Sequence, residues 1–373
     1  MVLLSQKIYD HLPDTIPCLP QNYNFEIKKT LKTILRNKAK KITLQFPDGL
    51  MKYSLAIIDT IYKYTAAECI ILNDVVYGGC CIDDSFKSDL LIHYGHSCLI
   101  PINEMNVKVL YIFVDIKIDI EHLFNTIKVN FKEEKIAILG TIQFNYSINK
   151  LKKLLNNTKT PQIKPLSPGE VLGCTSPIIK DSKVVISIGD GRFHLESVMI
   201  NNPTLDFYKY CPFSRKLTRE YYDFMRMKKI RENEIQKVKN EFKSMNCCND
   251  CKDDSKNGSI YNNIHNNITS KIKSFGLILG TLGKQGNKRI LENIKKKLKG
   301  HNLYLFMLDE IEDDILKRYP FIDAFVQISC PRLSVDWGHS FSKPLLSPFE
   351  VFYEKGDQYV LDYYSREGEA PWR

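Results

Sequence analysis

The sequence lacks the long apolar run that a membrane-spanning helix requires. No uncharged stretch reaches the roughly 18 residues typical of such a segment. Met1–Lys7 also lacks a basic flank followed by a long apolar segment, so no signal peptide is predicted and we expect a cytoplasmic protein. The chain is 43% hydrophobic and 26% charged, as globular proteins are, and its 373 residues predict two or three domains.

Several short motifs of known chemistry are also missing. The sequence has neither the C-x-x-x-C-x-x-C spacing of the usual radical S-adenosylmethionine enzymes nor the G-x-S-x-G of a nucleophile elbow. The loop Gly280–Gly286 contains glycines and a lysine, but not at P-loop spacing. We consider two interpretations of this loop: a tight strand-to-helix turn, or a site for an anionic group at the N-terminus of the next helix.

No arginine-aromatic stripe or known nucleic-acid motif accompanies the net charge of +10. An acidic or nucleic-acid partner is one interpretation of this charge. We favour solvated lysines on helix surfaces, as in Lys295–Lys299, and expect no direct contact with nucleic acid.

Cysteine is abundant, with 11 residues, but cytosolic thiols stay reduced, which argues against a disulfide framework. Cys69 lies in an apolar run and is predicted to be a small buried residue. Cys247, Cys248 and Cys251 contain one C-x-x-C pair without the second pair of a structural zinc site. They lie in the Asn-rich segment 244–272, predicted to be a disordered insertion, so we favour an incidental origin over a metal-binding or redox role.

Three cysteines far apart in the sequence share one setting, a small-residue turn just after an apolar run. The turns are Tyr77-Gly78-Gly79-Cys80, Leu172-Gly173-Cys174-Thr175 and Ile328-Ser329-Cys330-Pro331. A chain of similar units, each delivering one thiolate to a shared centre, has this pattern. Three thiolates on a [4Fe–4S] cluster leave one iron open to a substrate, and such a cluster can be a reaction site.

The apolar pattern predicts an α/β fold of three similar domains, each a parallel β-sheet flanked by helices, arranged around a central iron–sulfur cluster. Each domain begins with an apolar strand, a glycine turn and an amphipathic helix. The strands are Ile42–Phe46, Ile136–Gly140 and Leu277–Gly280, and the helices are Leu55–Tyr62, Ile148–Leu155 and Ile290–Leu298. Further strands are Cys69–Leu72, Leu90–His93, Val109–Val114, Val184–Ile188, Leu303–Leu308 and Ala324–Ile328.

The predicted domains are 1–133 with Cys80, 134–243 with Cys174, and 273–373 with Cys330, separated by the insertion 244–272. The second domain includes one long basic helix from Leu217 to Phe242.

Motifs along nearly the whole chain identify a resemblance. They are Leu19–Ile27, Gln45–Leu50, Tyr77–Asp84, His93–Leu99, Val171–Pro177, Gly189–Glu196, Leu217–Tyr222, Gly280–Gly286 and Cys330–Gly338. On these motifs the chain resembles the 2-(3-amino-3-carboxypropyl)histidine synthases, which begin diphthamide biosynthesis. Within that family it is most similar to the first, catalytic subunit. The Asn-rich insertion and Gly79, where many relatives have alanine, are the departures.

The resemblance implies a non-standard radical enzyme. In the family, three cysteines hold a [4Fe–4S] cluster, and by position these are Cys80, Cys174 and Cys330, with Cys81 next to the first. The open iron binds S-adenosylmethionine, whose 3-amino-3-carboxypropyl group is transferred to imidazole C2 of a histidine in elongation factor 2. The implied partners are elongation factor 2, a paralogous second subunit and a small metal-binding electron donor.

The resemblance also suggests contacts to S-adenosylmethionine. Arg332 is a candidate for the methionine carboxylate, with structural or surface pairing as its alternative, and Gln285 for a hydrogen bond there. Asp190 and Arg192 line the site or pair with each other, and His93 and His96 are either site or core residues. Two other functions stay open: a non-catalytic paralogous subunit that supports electron transfer, and a Rossmann-like nucleotide-binding module without iron.

Overall fold

The computed structural model describes residues 9–72, 78–240, 273–367 and 370. Tyr77 and the segment 244–272, with Cys247, Cys248 and Cys251, lie outside the described residues. By contacts the chain divides into two compact units. Unit 1 comprises Met1–Phe224, Leu282–Gln285 and Gln358–Glu369, and unit 2 comprises Met225–Thr281, Gly286–Asp357 and Ala370–Arg373. The finer division into three domains stays a prediction.

Unit 1 contains a two-stranded pair and two larger sheets. Its strands are β1 (Tyr23–Asn24), β2 (Lys41–Gln45), β3 (Glu68–Leu72), β4 (Leu90–Tyr94), β5 (Val109–Ile112), β6 (Asp115–Ile116), β7 (Ile136–Gly140), β8 (Thr158–Lys159), β9 (Val184–Ile188), β10 (Asp206–Cys211) and β11 (Lys216–Glu220). Its helices are α1 (Ile27–Asn37), α2 (Asp48–Met51), α3 (Ser54–Thr65), α4 (Ile120–Asn130), α5 (Asn145–Leu154) and α6 (Phe193–Asn201).

The first large sheet has the order β3-β2-β4-β5, with every pair parallel. Strand β2 is central, and four of its five residues are buried because structure covers both of its faces. Helix α1 packs on this sheet through Ile27, Leu31 and Ile34, which are spaced along one helical face. Cys69 lies on edge strand β3, where burial raises the pKa of its thiol to about 11.

The second sheet has the order β11-β10-β9-β7-β8 and is parallel except for its β10–β11 pair. The predicted helix from Leu217 to Phe242 is wrong at its start, because Lys216–Glu220 forms strand β11 against β10. Within the described residues the helix itself, α7, covers Phe224–Asn240. Leu217 packs on the apolar core of this sheet, and that non-local contact outweighs the local helical pattern.

Unit 2 contains the third sheet and the remaining helices. Its strands are β12 (Ser274–Gly280), β13 (Asn302–Leu308), β14 (Ala324–Ile328) and β15 (Leu345–Leu346), and its helices are α7, α8 (Lys288–Lys297), α9 (Asp313–Leu316) and α10 (Pro348–Phe352). The sheet order is β13-β12-β14-β15, with all pairs parallel. The predicted strands and their parallel pairing are therefore confirmed in all three large sheets, while β8, β10, β11 and β15 were not predicted.

No helix in the described part of the chain is both long enough and apolar enough to cross a membrane.

Candidate functional site

Cys80 lies in a single turn of 3₁₀-helix, Gly79–Cys81, that follows Gly78. Gly78 has φ +92°, a left-handed conformation that favours glycine. A Cβ on Gly79 would stand 2.8 Å from the carbonyl oxygen of Ser97, so this position has no room for a side chain. The two glycines thus hold the turn close to the backbone after β4, with Cys80 half-buried and its Sγ 3.7 Å from that of buried Cys81.

Gly283 and Lys284, in the loop Gly280–Gly286, pack directly on this turn. The Lys284 backbone N–H donates to the carbonyl oxygen of Cys80 over 2.8 Å. Gly283 has φ +56°, and a Cβ there would lie 2.5 Å from Cys81 Cα and 2.9 Å from the Cys80 oxygen. The Lys284 ammonium also pairs with Asp84 at 3.0 Å. Although burial opposes the shift, the Asn106 N–H and Lys284 hold the pKa of Asp84 below its usual value.

The N-terminus of α8 does not offer the anion site that we considered for this loop. The Asn287 side chain accepts hydrogen bonds from the N–H groups of Arg289 and Ile290 at 2.9 and 3.1 Å. An asparagine cap therefore satisfies donors that an anion would use. The geometry matches the other interpretation, a tight strand-to-helix turn. The backbone of this loop holds the Cys80 turn in place.

A hydrogen-bonded path joins the Cys80 and Cys174 turns within unit 1. Gln285 is buried, and its Nε2 donates to Cys81 Sγ over 3.1 Å. The carbonyl oxygen of Gln285 accepts from the Tyr363 hydroxyl at 3.3 Å, and the Tyr363 backbone N–H donates to the Cys174 oxygen at 3.1 Å. Cys80 and Leu172 also border one apolar cluster. Unit 1 therefore brings two of the three predicted cysteine turns together.

Helix α6 sets the position of the Cys174 turn. A Cβ on Gly173 would overlap the Phe193 ring, so only glycine allows the turn to approach this helix. The Ser197 hydroxyl donates to the carbonyl oxygen of Leu172 over 2.5 Å. Asn201 donates from Nδ2 to the oxygens of Ser176 and Leu361 at 2.7 and 3.1 Å, which ties the C-terminal segment to the same turn.

A chain of polar side chains runs from strands β2 and β4 of the first sheet to the Cys80 turn. Gln45 Oε1 lies 2.8 Å from His93 Nδ1, and His93 Nε2 lies 3.0 Å from His96 Nδ1. The His96 ring would contact a Cβ on Gly78 at 3.4 Å. Burial, and to a smaller extent the charge of His194, lowers the pKa of His96 to about 4. Burial also lowers the pKa of His93 well below its usual value. Both rings are therefore neutral at pH 7.

Cys330 belongs to unit 2, at the carboxyl end of β14. Its carbonyl oxygen accepts from the side chain of Gln327 at 2.9 Å and from the Leu333 N–H at 3.0 Å. Burial raises the pKa of its thiol. The backbone N–H groups of Arg332 and Leu333 and the Arg332 charge oppose this rise. Burial outweighs these donors, so the pKa stays raised, and the donors only partly offset the cost of forming the thiolate that ligates metals.

The candidate S-adenosylmethionine contacts have other partners in the chain. Arg332 is buried, and its Nε reaches Asp336 Oδ2 at 2.9 Å. Arg192 pairs with Glu220 at 3.0 Å and Glu196 at 3.5 Å, whereas pairing with Asp190 was one of the two alternatives considered for it. The Asp190 carboxylate accepts from the Gly191 N–H at 3.0 Å.

The donor set fits an iron–sulfur cluster. Cys80, Cys174 and Cys330 are each half-buried cysteines, and thiolates are the usual cluster ligands. Among the described residues no group of three or more His, Cys, Asp or Glu side chains is placed to hold a single metal ion. A four-iron cluster distributes its ligands over several irons, so its thiolates need not converge on one point.

Tyr363 and the segment around it were not predicted as part of the site. Tyr363 is a buried aromatic residue, like many others in this chain, and its role depends on two hydrogen bonds to distant positions. The neighbouring bond from the Tyr364 N–H to Thr175 Oγ1, at 3.0 Å, has the same long-range character.

Comparison with known sequences identifies close relatives. The family model described as "Putative diphthamide synthesis protein" matches residues 46–247 and 254–364. The 2-(3-amino-3-carboxypropyl)histidine synthase subunit 1 of Encephalitozoon cuniculi (strain GB-M1) is 55% identical over 380 residues, covering 100% of this chain and 99% of the relative. The proteins of that name from Candida albicans (strain SC5314 / ATCC MYA-2876) and Dictyostelium discoideum are 46% and 41% identical, covering 96% and 99% of this chain and 82% and 78% of the relatives.

Two crystal structures of Dph2 from Pyrococcus horikoshii, one with a 4Fe-4S cluster, have the same fold as this chain. Their TM-scores are 0.68 and 0.69, with 22% and 21% sequence identity. They align with 90% and 93% of this chain and with 92% and 97% of their own. The predicted α/β class, with parallel sheets flanked by helices, is confirmed.

Proposed function

The chain belongs to the diphthamide synthesis protein family, as its motifs predicted, and we propose that it is the catalytic first subunit of a 2-(3-amino-3-carboxypropyl)histidine synthase. It would transfer the 3-amino-3-carboxypropyl group of S-adenosylmethionine to imidazole C2 of a histidine in elongation factor 2. Identity to relatives of that name over the full chain supports this proposal. The Cys174 and Gly189–His194 motifs favour the first subunit over its paralogue.

The proposed cofactor is a [4Fe–4S] cluster held by Cys80, Cys174 and Cys330. The path Cys174–Tyr363–Gln285–Cys81 carries this proposal, because it links two of these turns by backbone and side-chain hydrogen bonds. The proposal requires the thiol of Cys330, from unit 2, to join them. When bound and reduced, the cluster supplies the electron that cleaves S-adenosylmethionine at its methionine γ-carbon, which leaves methylthioadenosine.

The residues of the chain would hold and shield this centre. Gly283 and Lys284 position the Cys80 turn through backbone contacts, and Gln285 donates to the adjacent sulfur of Cys81. Hydrogen bonds near cluster sulfurs tune the reduction potential of such centres. The contacts of Arg332, Gln285, Asp190 and Arg192 with S-adenosylmethionine stay proposals.

The proposed setting is cytoplasmic. The partners would be elongation factor 2 as the protein substrate, a paralogous second subunit, and a small metal-binding protein that delivers electrons. The names of the relatives, which specify subunit 1, support an assembly of more than one chain.

Iron analysis after anaerobic reconstitution tests the ligand set. The wild-type chain should bind about four iron atoms. Cys80→Ser, Cys174→Ser and Cys330→Ser should each lose most of this iron. Cys69→Ser is the matched control, because Cys69 is a free, half-buried cysteine on β3, and it should keep wild-type iron. Normal iron content in all three variants would contradict the ligand assignment, whereas a wild-type chain that binds no iron would favour a module without a cluster.

The small-molecule product tests the reaction. With dithionite and the assembled enzyme, S-adenosylmethionine should yield methylthioadenosine and only traces of 5′-deoxyadenosine. Added elongation factor 2 should gain one aminocarboxypropyl group, measured by mass spectrometry. A dominant 5′-deoxyadenosine product would contradict the proposed bond cleavage.

A further inference from the structure

Gln45, His93 and His96 form a polar relay of hydrogen-bonded side chains in unit 1. Gln45 lies on β2 and His93 on β4, and both side chains are fully buried. His96, in the turn after β4, is half-buried and bonds to His93 through its Nδ1 atom. No residue in the described part of the chain forms a hydrogen bond with its other ring nitrogen, Nε2. The polar relay therefore ends at a nitrogen that is available to a ligand.

A backbone carbonyl group sets the direction of every hydrogen bond in the polar relay. Gln45 Nε2 lies 2.9 Å from the carbonyl oxygen of Asp83, which can only accept, so the amide nitrogen must face Asp83. The amide oxygen of Gln45 then faces His93, and His93 Nδ1 must carry the proton that this oxygen accepts. A neutral imidazole has one N–H, so His93 Nε2 accepts from the Nδ1–H of His96. The Nε2 atom of neutral His96 is consequently a hydrogen-bond acceptor.

The surroundings of His96 relate this acceptor to both cysteine turns of unit 1. A Cβ on Gly78, at the start of the Cys80 turn, would lie 3.6 Å from His96 Nε2. The second neighbour is His194, whose charge adds to burial in lowering the pKa of His96. His194 belongs to the first turn of α6, next to Phe193, whose ring packs on Gly173. His96 thus neighbours the Cys80 turn and the helix that positions the Cys174 turn.

A neutral N–H group is the donor that suits this acceptor. The proposed substrate, a histidine side chain, has an imidazole N–H directly beside C2, the carbon that is modified. Because the pKa of His96 is about 4 and that of an ordinary histidine about 6.5, the shared proton would stay on the substrate ring. One hydrogen bond would then fix the tautomer and the orientation of that ring. The α-ammonium of S-adenosylmethionine is charged, and a carboxylate suits it better than a neutral imidazole does.

We propose that His96 Nε2 accepts a hydrogen bond from the imidazole N–H of the histidine that is modified in elongation factor 2, and so holds its C2 in place for the transfer. This inference rests on the proposed function and adds to it a residue that contacts the protein substrate. Gln45 and His93 are positioning residues, because they act only through the tautomer of His96. The polar relay makes His96 an acceptor before the substrate arrives, so binding requires no change of tautomer.

The ratio of the two reaction products tests the proposal. Mass spectrometry of the assembled enzyme with dithionite, S-adenosylmethionine and elongation factor 2 counts the groups transferred for each methylthioadenosine released. His96→Asn keeps a donor near His93 but has no acceptor at the Nε2 position, and this ratio should fall about tenfold. His96→Gln places an amide oxygen near that position and should recover most of the wild-type ratio.

His122→Asn is the matched control for these variants. His122 is another half-buried histidine of unit 1, and its Nδ1 lies 2.9 Å from the hydroxyl oxygen of Tyr210. This variant should keep the wild-type ratio of products. Circular dichroism checks that each variant is folded.

The tautomer of His96 provides a test that does not depend on activity. Nitrogen NMR of the full chain with labelled histidine should show His96 protonated at Nδ1 and unprotonated at Nε2, and His96→Gln identifies its signals. Gln45→Met removes the amide that sets the direction of the polar relay, and both tautomers of His96 should then appear.

The outcomes separate this inference from the proposed function. A proton on Nε2 of His96, or a wild-type product ratio in His96→Asn, would overturn the inference alone. An equal fall of both products with weaker binding of S-adenosylmethionine would also overturn it, because His96 would then contact that molecule instead. A wild-type enzyme that releases methylthioadenosine but modifies no histidine would contradict the proposed function, and the inference with it.

Discussion

At the scale of single residues, glycines decide how closely other segments approach the cysteine turns. Gly79, Gly173 and Gly283 each occupy a position where a Cβ would meet a neighbouring backbone or ring. Gly283 also has φ +56°, so two physical reasons exclude a side chain there. Glycine at these positions brings backbone groups to within hydrogen-bonding distance of Cys80 and Cys174.

Replacing Gly283 with alanine should therefore disturb the Cys80 turn. Gly356→Ala is the matched control, because Gly356 has φ +108° and open space around it. The control should lose about 1–2 kcal/mol from the left-handed backbone alone. Gly283→Ala should lose more, and its iron content should fall. Urea unfolding and iron analysis measure the two effects, and wild-type iron in Gly283→Ala would refute a supporting role for the loop.

The neutral histidines near Cys80 should make stability depend on pH. The pKa of His96 is about 6.5 in the unfolded chain and about 4 in the folded chain. Between these pH values only the unfolded chain binds this proton, so the free energy of unfolding decreases as the pH falls from about 6.5 to about 4. The slope is at most ~1.4 kcal/mol per pH unit for one histidine. His93 and His194 are the titratable neighbours that act with it.

Removing the His96 ring should reduce this dependence. Between pH 7 and pH 5, His96→Gln should lose about 1–2 kcal/mol less free energy of unfolding than wild type. His339→Gln, at an exposed position in unit 2, is the control and should behave as wild type. Urea unfolding at both pH values measures the difference. Equal losses in all three proteins would show that His96 is not the source.

At the scale of elements, a buried ion pair joins α7 to α10 inside unit 2. Arg231 donates from Nε and Nη2 to the two carboxylate oxygens of Glu350 at 2.6 and 2.8 Å, with both side chains fully buried. Glu350 also accepts from the Ser347 N–H at 2.7 Å, within the capping box that begins α10. One carboxylate thus satisfies both a helix N-terminus and a buried guanidinium.

Breaking this pair on one side should be costly. Glu350→Gln leaves the Arg231 charge buried without its counter-charge, and we expect a loss of about 3–5 kcal/mol. The double variant Arg231→Met with Glu350→Leu should lose less stability than the sum of the losses in Arg231→Met alone and Glu350→Leu alone. Lys295→Met removes the exposed pair with Glu292 and should change stability by less than about 1 kcal/mol. Additive losses in the double-mutant cycle would contradict the coupling.

At the scale of the whole molecule, the proposed set of cluster ligands includes residues of both compact units. Cys80 and Cys174 belong to unit 1 and Cys330 to unit 2. A ligand that binds only the folded state stabilises every part that must fold to bind it. Anaerobic calorimetry should therefore show higher unfolding temperatures for both units after reconstitution. Cys330→Ser should abolish the gain in both units, and a gain confined to unit 1 would contradict a shared cluster.

Much of the fold was determined by local patterns in the sequence. The apolar strands, the turns after them and the i, i+3, i+4 helical faces depend on residues close together in the chain, and these predictions agree with the structure. The three cysteine turns were recognisable for the same reason, because glycine and cysteine adjoin apolar runs. Strand β11 was missed because its pairing with β10 and the packing of Leu217, rather than its local pattern, decide its conformation.

Only the tertiary structure decided which segments support the cysteines. Gly283 meets Cys81 across about 200 residues of chain, and Tyr363 reaches both Gln285 and Cys174. No periodicity or turn motif encodes these contacts, because each joins positions that become neighbours only after the sheets have formed. The sequence by itself determined the strands and the thiols, and the hydrogen bonds around those thiols depended on long-range packing.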